Sequence, residues 1–468
     1  MKLKGTMTIQ LIDVETGQVE QVIETNMLTD AVNNIFQENP MGILLNAAGK
    51  YDTLLNWTGT LLPICPNLIG GILLFSKALE EKTSNIYSDS SNLPVAYASN
   101  DVNSTENLAR GSLNLTESKV LDNGYRFIWE FTPNQGNGTI AAVALTSSYG
   151  GKNAYGSLID DASPFLLMRK VDVSNLGNEK LTDLFLTTSI DFEKNCLYSL
   201  QYSDSSVIIR KLRIPTFTIG LNESLNDSSC SLLESQVLAC TTFKFLGSYI
   251  PYGVFCDGGD GYWYGFSNQQ NTSGDAKMLW MKIKKEDYTF TEGSWTLTNC
   301  QLPACGSFRV DTYPIRIQRA VVRRGYLYIP AYNKTGIYKI NLSNSTDVKF
   351  IEFGFTSQMK PLGGAGNCEN YLVVVGDLII GWDFQITAND KVIQTVGTAR
   401  LDNLATPLFQ YKNYLTGWGS SYSNAYHLSY LLTPYLASIN NLSSPITKTA
   451  DKTMKITYEL TEVDGTEK

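Results

Sequence analysis

The stretch GYLYIPAYNKTGIYKINL, residues 325–342, decides how the chain is read. Tyr326, Leu327, Tyr328 and Ile329 make an aromatic-rich β-run, Asn333-Lys334-Thr335-Gly336 supplies turn residues, and residues 337–342 make a second β-run. Aromatic and β-branched side chains favour strands, while Asn and Gly accept the backbone angles of tight turns. The same strand-turn-strand unit recurs. One copy begins at Asn195-Cys196-Leu197-Tyr198-Ser199-Leu200, turns at Asp204-Ser205-Ser206 and returns over 207–214. Another runs from Gly261-Tyr262-Trp263-Tyr264-Gly265-Phe266 to 277–284. Two more occupy 370–375 with 378–386, and 413–418 with 425–432. Leu197, Tyr262, Tyr326, Tyr371 and Tyr414 are spaced by roughly 65, 64, 45 and 43 residues, near the period of propeller blades. A single four-stranded blade cannot bury both of its faces, and radial stacking of blades covers them. Residues 164–432 are therefore expected to form a β-propeller of five to six blades, against the alternative of two ordinary sandwiches with similar hairpins.

Working outward, residues 6–12 alternate, 13–18 form a turn around Glu15-Thr16-Gly17, and 19–25 continue as a strand. Asn26 is placed to cap a helix over 27–37, and 71–75 read as a buried strand. Asn123-Gly124 between two alternating runs is a strong hairpin signal. The Gly/Ser-rich 147–163 reads as a linker or domain boundary. After the repeats, the final strand over 453–461 alternates Met454, Ile456, Tyr458 and Leu460 and stands far from any blade partner. An amphipathic strand needs a sheet. The expected fold is thus mainly β, with a β-sandwich built from both chain ends, 1–160 and 433–468, and a β-propeller inserted at 164–432.

Composition narrows the function classes. Of 468 residues 43% are hydrophobic, enough for a large core, and 18% are charged, with a net charge of −8. Without a basic run, nucleic acid is a poor partner, because phosphate neutralisation supplies most of that affinity. The single histidine, His427, excludes a two-His metal site and leaves at most one His-based catalytic unit. The most apolar stretch, 61–74, is short and interrupted by Pro63, Pro66 and Gly70-Gly71, so no membrane span is expected. The start shows no apolar signal core, so the eight cysteines (Cys65, Cys196, Cys230, Cys240, Cys256, Cys300, Cys305 and Cys368) are expected as reduced, buried thiols.

Few side-chain groups suggest chemistry. Around Gly417-Trp418-Gly419, the residues Trp418, Tyr422, Asn424 and Tyr426 combine aromatic faces and small polar groups that suit sugar rings, against packing between blades. Cys256-Asp257-Gly258-Gly259-Asp260-Gly261 could hold Ca²⁺ through Asp257 and Asp260, against a tight turn feeding the Tyr262 strand. No other cofactor is expected. In Tyr262-Trp263-Tyr264, alternation puts Trp263 on the face opposite its neighbours. The basic groups Arg316, Arg319, Arg323, Arg324 and Lys282, Lys284, Lys285 read as solvated faces. Glu80-Glu81 and Glu286-Asp287 are the acidic pairs a glycosidase reading would use. No catalytic motif is present.

The opening hairpin with Thr25-Asn26-Met27-Leu28-Thr29-Asp30-Ala31-Val32-Asn33-Asn34 resembles the start of structural proteins in tailed bacteriophages and prophages of Gram-positive gut bacteria. The strand over 137–146 and the tail over 445–458 resemble the closing strands of tail-fibre sandwich modules. The resemblance covers about 1–160 and 433–461 and implies a non-enzymatic virion component, assembled in the host cytoplasm. It implies a tail, tail-tip or fibre protein, homo-oligomeric, touching other virion proteins and a host-surface glycan. Charge and hydropathy leave neither nucleic acid nor membrane as an expected partner. Two other readings stay open: a propeller polysaccharide depolymerase, hydrolase or lyase, and a head-surface decoration or head-fibre protein.

Overall fold

The computed structural model describes residues 2–37, 64–152, 165–214, 230–247, 251–310, 314–359, 372–395, 408–421 and 424–463. The protein is mainly β, built from many antiparallel sheets. It divides into two compact units: Met1–Leu166 together with Leu431–Lys468, and Leu167–Tyr430.

The first unit holds a six-stranded sheet in the order Val19–Thr25, Lys2–Asp13, Lys452–Val463, Gly124–Phe131 and Ser112–Leu113, with Lys119–Leu121 also paired to Gly124–Phe131. Local chemistry makes its hairpins. Asp13 Oδ1 accepts the N–H groups of Glu15 (3.0 Å) and Thr16 (2.7 Å), and Gly17 takes φ 68°. The chain's last strand lies between two strands from its first third, pairing Lys2 with Val463 at one end and Asp13 with Lys452 at the other. In that register Ile9, Ile456 and Trp129 stand side by side, all buried. Period-2 alternation sends Met7, Ile9 and Leu11 inward with Met454, Ile456 and Tyr458, while Lys455 and Glu117 pair on the other face.

A five-stranded sheet orders Met27–Leu28, Ser438–Lys448, Gly138–Thr146, Gly71–Phe75 and Ala96–Ala98. Trp129 of the first sheet donates its indole N–H to Ser99 O beside the second (2.9 Å). The helix expected over 27–37 is shorter. Met27 and Leu28 pair with Ile439 and Ser438, and the helix runs Asp30–Gln37. Thr29, not Asn26, stands at its start, its Oγ1 accepting the Ala31 N–H (3.2 Å). The expected linker contains a short helix, Ser148–Lys152, and 153–163 lie outside the described residues. Gly151 in that helix presses against the backbone of Ala98, where a Cβ would strike the carbonyl oxygen.

Among the described residues, the second unit holds five four-stranded sheets and one two-stranded sheet. Sheet I comprises Thr187–Asp191, Cys196–Ser203, Ser206–Arg213 and Leu232–Ala239. Sheet II comprises Val254–Asp257, Tyr262–Ser267, Ala276–Lys284 and Phe290–Leu297. Sheet III comprises Val321–Arg323, Tyr326–Pro330, Gly336–Asn341 and Val348–Glu352. Sheet IV comprises Val373–Val375, Leu378–Ile380, Phe384–Ile386 and Val392–Gln394. These four are simple meanders. Sheet V takes Phe409–Tyr411, Tyr414–Ser421 and Asn424–Leu432 from the late chain and completes itself with Phe165–Asp172.

Four of the five recurrent units quoted above are the second and third strands of a sheet. The one at 370–386 is out of phase: 378–386 splits into Leu378–Ile380 and Phe384–Ile386, and its opening strand, Val373–Val375, is the first of sheet IV. Neighbouring sheets share cores through alternation. In sheet II, Phe255 and Trp263 pack with Leu200 and Ile209 of sheet I, whereas Cys256 and Tyr264 pack with Leu327 and Ile340 of sheet III. Tyr328 and Ile337 of sheet III meet Ile379 and Phe384 of sheet IV. Trp418 of sheet V meets Leu197 and Leu212 of sheet I, with Leu184 and Phe185 of the helix Gly177–Phe185. Sheets IV and V are joined where Gly376 N–H donates to Gln410 Oε1 (3.3 Å). Each buried aromatic of this size contributes on the order of 2–3 kcal/mol of transfer free energy.

Candidate functional site

The first strand of each of the five sheets borders one cavity of about 770 Å³, a volume typical of small-molecule sites. Thr188 and Ile190 come from sheet I, Val321 and Val322 from sheet III, and Val373 from sheet IV. The turns that follow the first strands of sheets I to IV add Phe192, the Gly258-Gly259-Asp260 turn, Arg324 and Gly376.

A hairpin between sheets II and III, Gly306–Val310 with Pro314–Gln318, contributes Arg316 and Gln318 to the lining. Its second strand lies against the helix Gly177–Phe185 and the sheet V strand Tyr414–Ser421. Arg316 donates to Thr187 O of sheet I (2.6 Å) and to Phe255 O of sheet II (2.7 Å), and to Gln318 Oε1 (3.1 Å). A guanidinium presents five N–H groups in a fixed fork, so one side chain can tie two strands together.

The basic residues read as solvated faces need correction. Arg316, Arg319 and Arg323 are buried, and only Arg324 is exposed, paired with Asp377 (3.1 Å). Burial pushes the Arg319 guanidinium down to about 10, which leaves it charged at neutral pH. Arg323 donates to Ile386 O (3.0 Å), the Tyr328 hydroxyl (2.8 Å) and Asp390 (3.3 Å). Alternation told which side of the strand these residues occupy, but not that a neighbouring sheet's carbonyls would cover them.

The turn that sequence singled out for Ca²⁺ lines the cavity, and its Gly259 and Asp260 are exposed. Asp257 Oδ1 accepts the Gly259 N–H (2.8 Å) and the Lys285 ammonium (2.6 Å). Asp260 accepts the Tyr262 N–H (3.2 Å) through Oδ1 and the Tyr264 hydroxyl (2.7 Å) through Oδ2. Burial, with the Asp260 carboxylate beside it, pushes the Tyr264 phenol well above its usual range, so it stays a donor. Gly259 and Gly261 carry the positive φ values, 69° and 88°, that this turn requires. Among the described residues no three His, Cys, Asp or Glu side chains converge as a metal site, and no donor binds Asp257 Oδ2.

The sugar platform expected around Trp418 is not exposed. Trp418 retains 1% of its surface and Tyr426 9%, and the Trp418 ring sits 5.5 Å from that of His427. A ring so buried cannot stack on a saccharide. Tyr422 and the Asn424 side chain lie outside what is described. His427 is buried and shares a 2.7 Å hydrogen bond with Thr416 Oγ1. Glu80 pairs with Lys82, and Glu286 with Lys284 (2.7 Å), and neither carboxylate is among the residues that line the cavity. Trp263, expected opposite Tyr262 and Tyr264, is buried and donates to Ser189 Oγ of sheet I (2.8 Å). Sequence reasoning missed Phe192 and Phe409, the half-buried aromatic residues of the lining, because neither falls in an aromatic cluster. None of the six cysteines whose side chains are described forms a disulfide; Cys65 and Cys368 lie outside.

No protein-family model matches the chain, and no curated protein matches it. Among solved structures, apo AztD from Citrobacter koseri is 8% identical, covering 50% of this chain and 80% of its own, with a TM-score of 0.21. A polysaccharide lyase is 10% identical over 85% of this chain and 100% of its own, with a TM-score of 0.21. A β-1,2-mannobiose phosphorylase from Listeria innocua is 8% identical over 77% of this chain and 97% of its own, with a TM-score of 0.19. Similarity at this level carries no argument about activity.

Proposed function

We propose that the chain is a non-enzymatic virion protein of a tailed bacteriophage, a tail, tail-tip or fibre component. It anchors by a β-sandwich formed from both chain ends and presents a five-bladed β-propeller for contact with a host-surface glycan or another virion protein. The observation that carries the propeller is that the first strands of five four-stranded sheets border one cavity while successive sheets share cores. Completion of sheet V by the strand Phe165–Asp172 supports it further, because strands from both ends of the repeat then close the ring. The sandwich is supported by the two antiparallel sheets of the first unit, each holding strands from both chain ends. The phage assignment rests on the resemblance of the end segments.

An antiserum against the full chain, applied with gold label to particles induced from the source bacterium, tests this directly. Gold at the tail supports the reading. Gold on the head moves the protein to a head-fibre role, and particles without label overturn the virion assignment.

A further inference from the structure

Resting on the propeller reading above, we infer that the cavity is a saccharide site, specific for a neutral sugar end group entering past the Gly258-Gly259-Asp260 turn. The lining is two-sided. Phe192 of sheet I and Phe409 of sheet V supply half-buried aromatic rings, and Phe192 is braced by Tyr411 at 4.8 Å between centroids. Sheet II supplies carboxylates at the end of its first strand. Asp257 Oδ2 has no donor among the described residues, and each oxygen of Asp260, holding one donor, has a second lone-pair direction. A pyranose has the matching shape: an apolar C–H face for an aromatic ring, and a rim of hydroxyls that donate to carboxylates.

Charge selects the class. Two of the charged groups there are matched within the protein, Asp257 by Lys285 and Arg324 by Asp377, while Asp260 holds the Tyr264 hydroxyl rather than a cation. A neutral polyol leaves both pairs intact, whereas an acidic sugar would meet two carboxylates at the entrance. Arg316 and Gln318 add polar groups to the lining, and their bonds to Thr187 O, Phe255 O and Ala320 O hold the surrounding strands in place without adding a carboxylate. The volume of about 770 Å³ accommodates a short oligosaccharide end rather than a long segment lying across the surface.

The test uses the full chain, an array of neutral and uronic-acid oligosaccharides, and saturation-transfer NMR with the best-binding methyl glycoside. Phe409→Ala and Asp257→Asn are each expected to weaken binding at least tenfold, with thermal unfolding checked to confirm a folded protein. Trp295→Ala is the control: it alters the stacked Trp280–Trp295 pair of sheet II (5.8 Å between centroids), outside the lining, and should leave binding unchanged. Binding retained in both cavity variants, binding lost in the Trp295 variant, or preference for acidic sugars would each overturn the saccharide site while leaving the virion assignment standing. Failure of every saccharide to bind overturns it too, whereas the gold-labelling result decides the virion role independently.

Discussion

Lys339 Nζ lies 2.8 Å from Asp390 Oδ2, and this contact joins sheet III to sheet IV. Asp390 sits at a turn with φ 60°, where its carboxylate also receives Arg323 (3.3 Å), Lys349 (3.3 Å) and the Tyr328 hydroxyl (3.3 Å). Burial raises this carboxyl, but the Lys339 and Lys349 ammonium groups outweigh it and hold it below the usual carboxylate range. Asp390→Asn leaves several cationic groups short of their partner and should cost about 2–4 kcal/mol. Because the folded-state value is depressed, the carboxylate's contribution is fully present above its ordinary value near 3.8 and is lost as pH falls through the folded one. Urea midpoints of wild type and variant should therefore be well separated at pH 7 and converge below pH ~4. A constant gap down to pH ~3 would contradict this.

Arg316→Met keeps much of the side-chain volume but removes the ties to Thr187 and Phe255. Two buried carbonyls then lose a charge-assisted donor, a loss of about 2–3 kcal/mol by chemical denaturation. A midpoint equal to that of wild type would show that the guanidinium does not tie these strands.

Burial pushes the thiols of Cys256 and Cys305 up to about 12. Each Sγ contacts a backbone carbonyl, Ala320 O at 3.2 Å and Phe266 O at 3.3 Å. Iodoacetamide at pH 8 should leave both unmodified in the folded chain and alkylate both in guanidinium chloride, as read by peptide mass spectrometry. Rapid native alkylation of either would show that its sheet opens readily.

Truncation after Asp451 removes the strand that Lys2–Asp13 and Gly124–Phe131 both pair with. The remaining sheet would have two unpaired edges and a core lacking Met454, Ile456, Tyr458 and Leu460. The truncated chain is expected to aggregate, or to show light scattering and lost near-ultraviolet dichroism. A soluble chain with native dichroism would refute the central role of this strand.

What sequence could show was decided by distance along the chain. The Asp13 turn and the Asn123-Gly124 hairpin are legible because neighbouring residues supply their bonds. The repeat is legible because four of the five sheets are local meanders and the fifth keeps its last three strands together in the chain. The phase of the fourth unit is not, since Gly381-Trp382-Asp383 interrupts what reads as one continuous run. The helix start shifted to Thr29 because Met27 and Leu28 find their strand partners at Ile439 and Ser438, near the other end. The Trp418 region fails as an exposed site for a similar reason: its cover comes from Leu197, Leu212 and a helix more than two hundred residues earlier. The Asp257–Asp260 turn was legible as a turn, and its place at a cavity appears only once five first strands are brought together.

The position of Lys452–Val463 inside its sheet also sets an order of events during synthesis. Residues up to 166 leave the ribosome with the strands Lys2–Asp13 and Gly124–Phe131 waiting for a partner that has yet to be translated. Leu167–Tyr430 emerges in the interval. The inserted unit can therefore complete its own meanders first, while the enclosing unit closes only after residue 463 is released. Until that moment its half-built sheet has an open slot, and a chaperone or a second nascent chain would find its sticking point there.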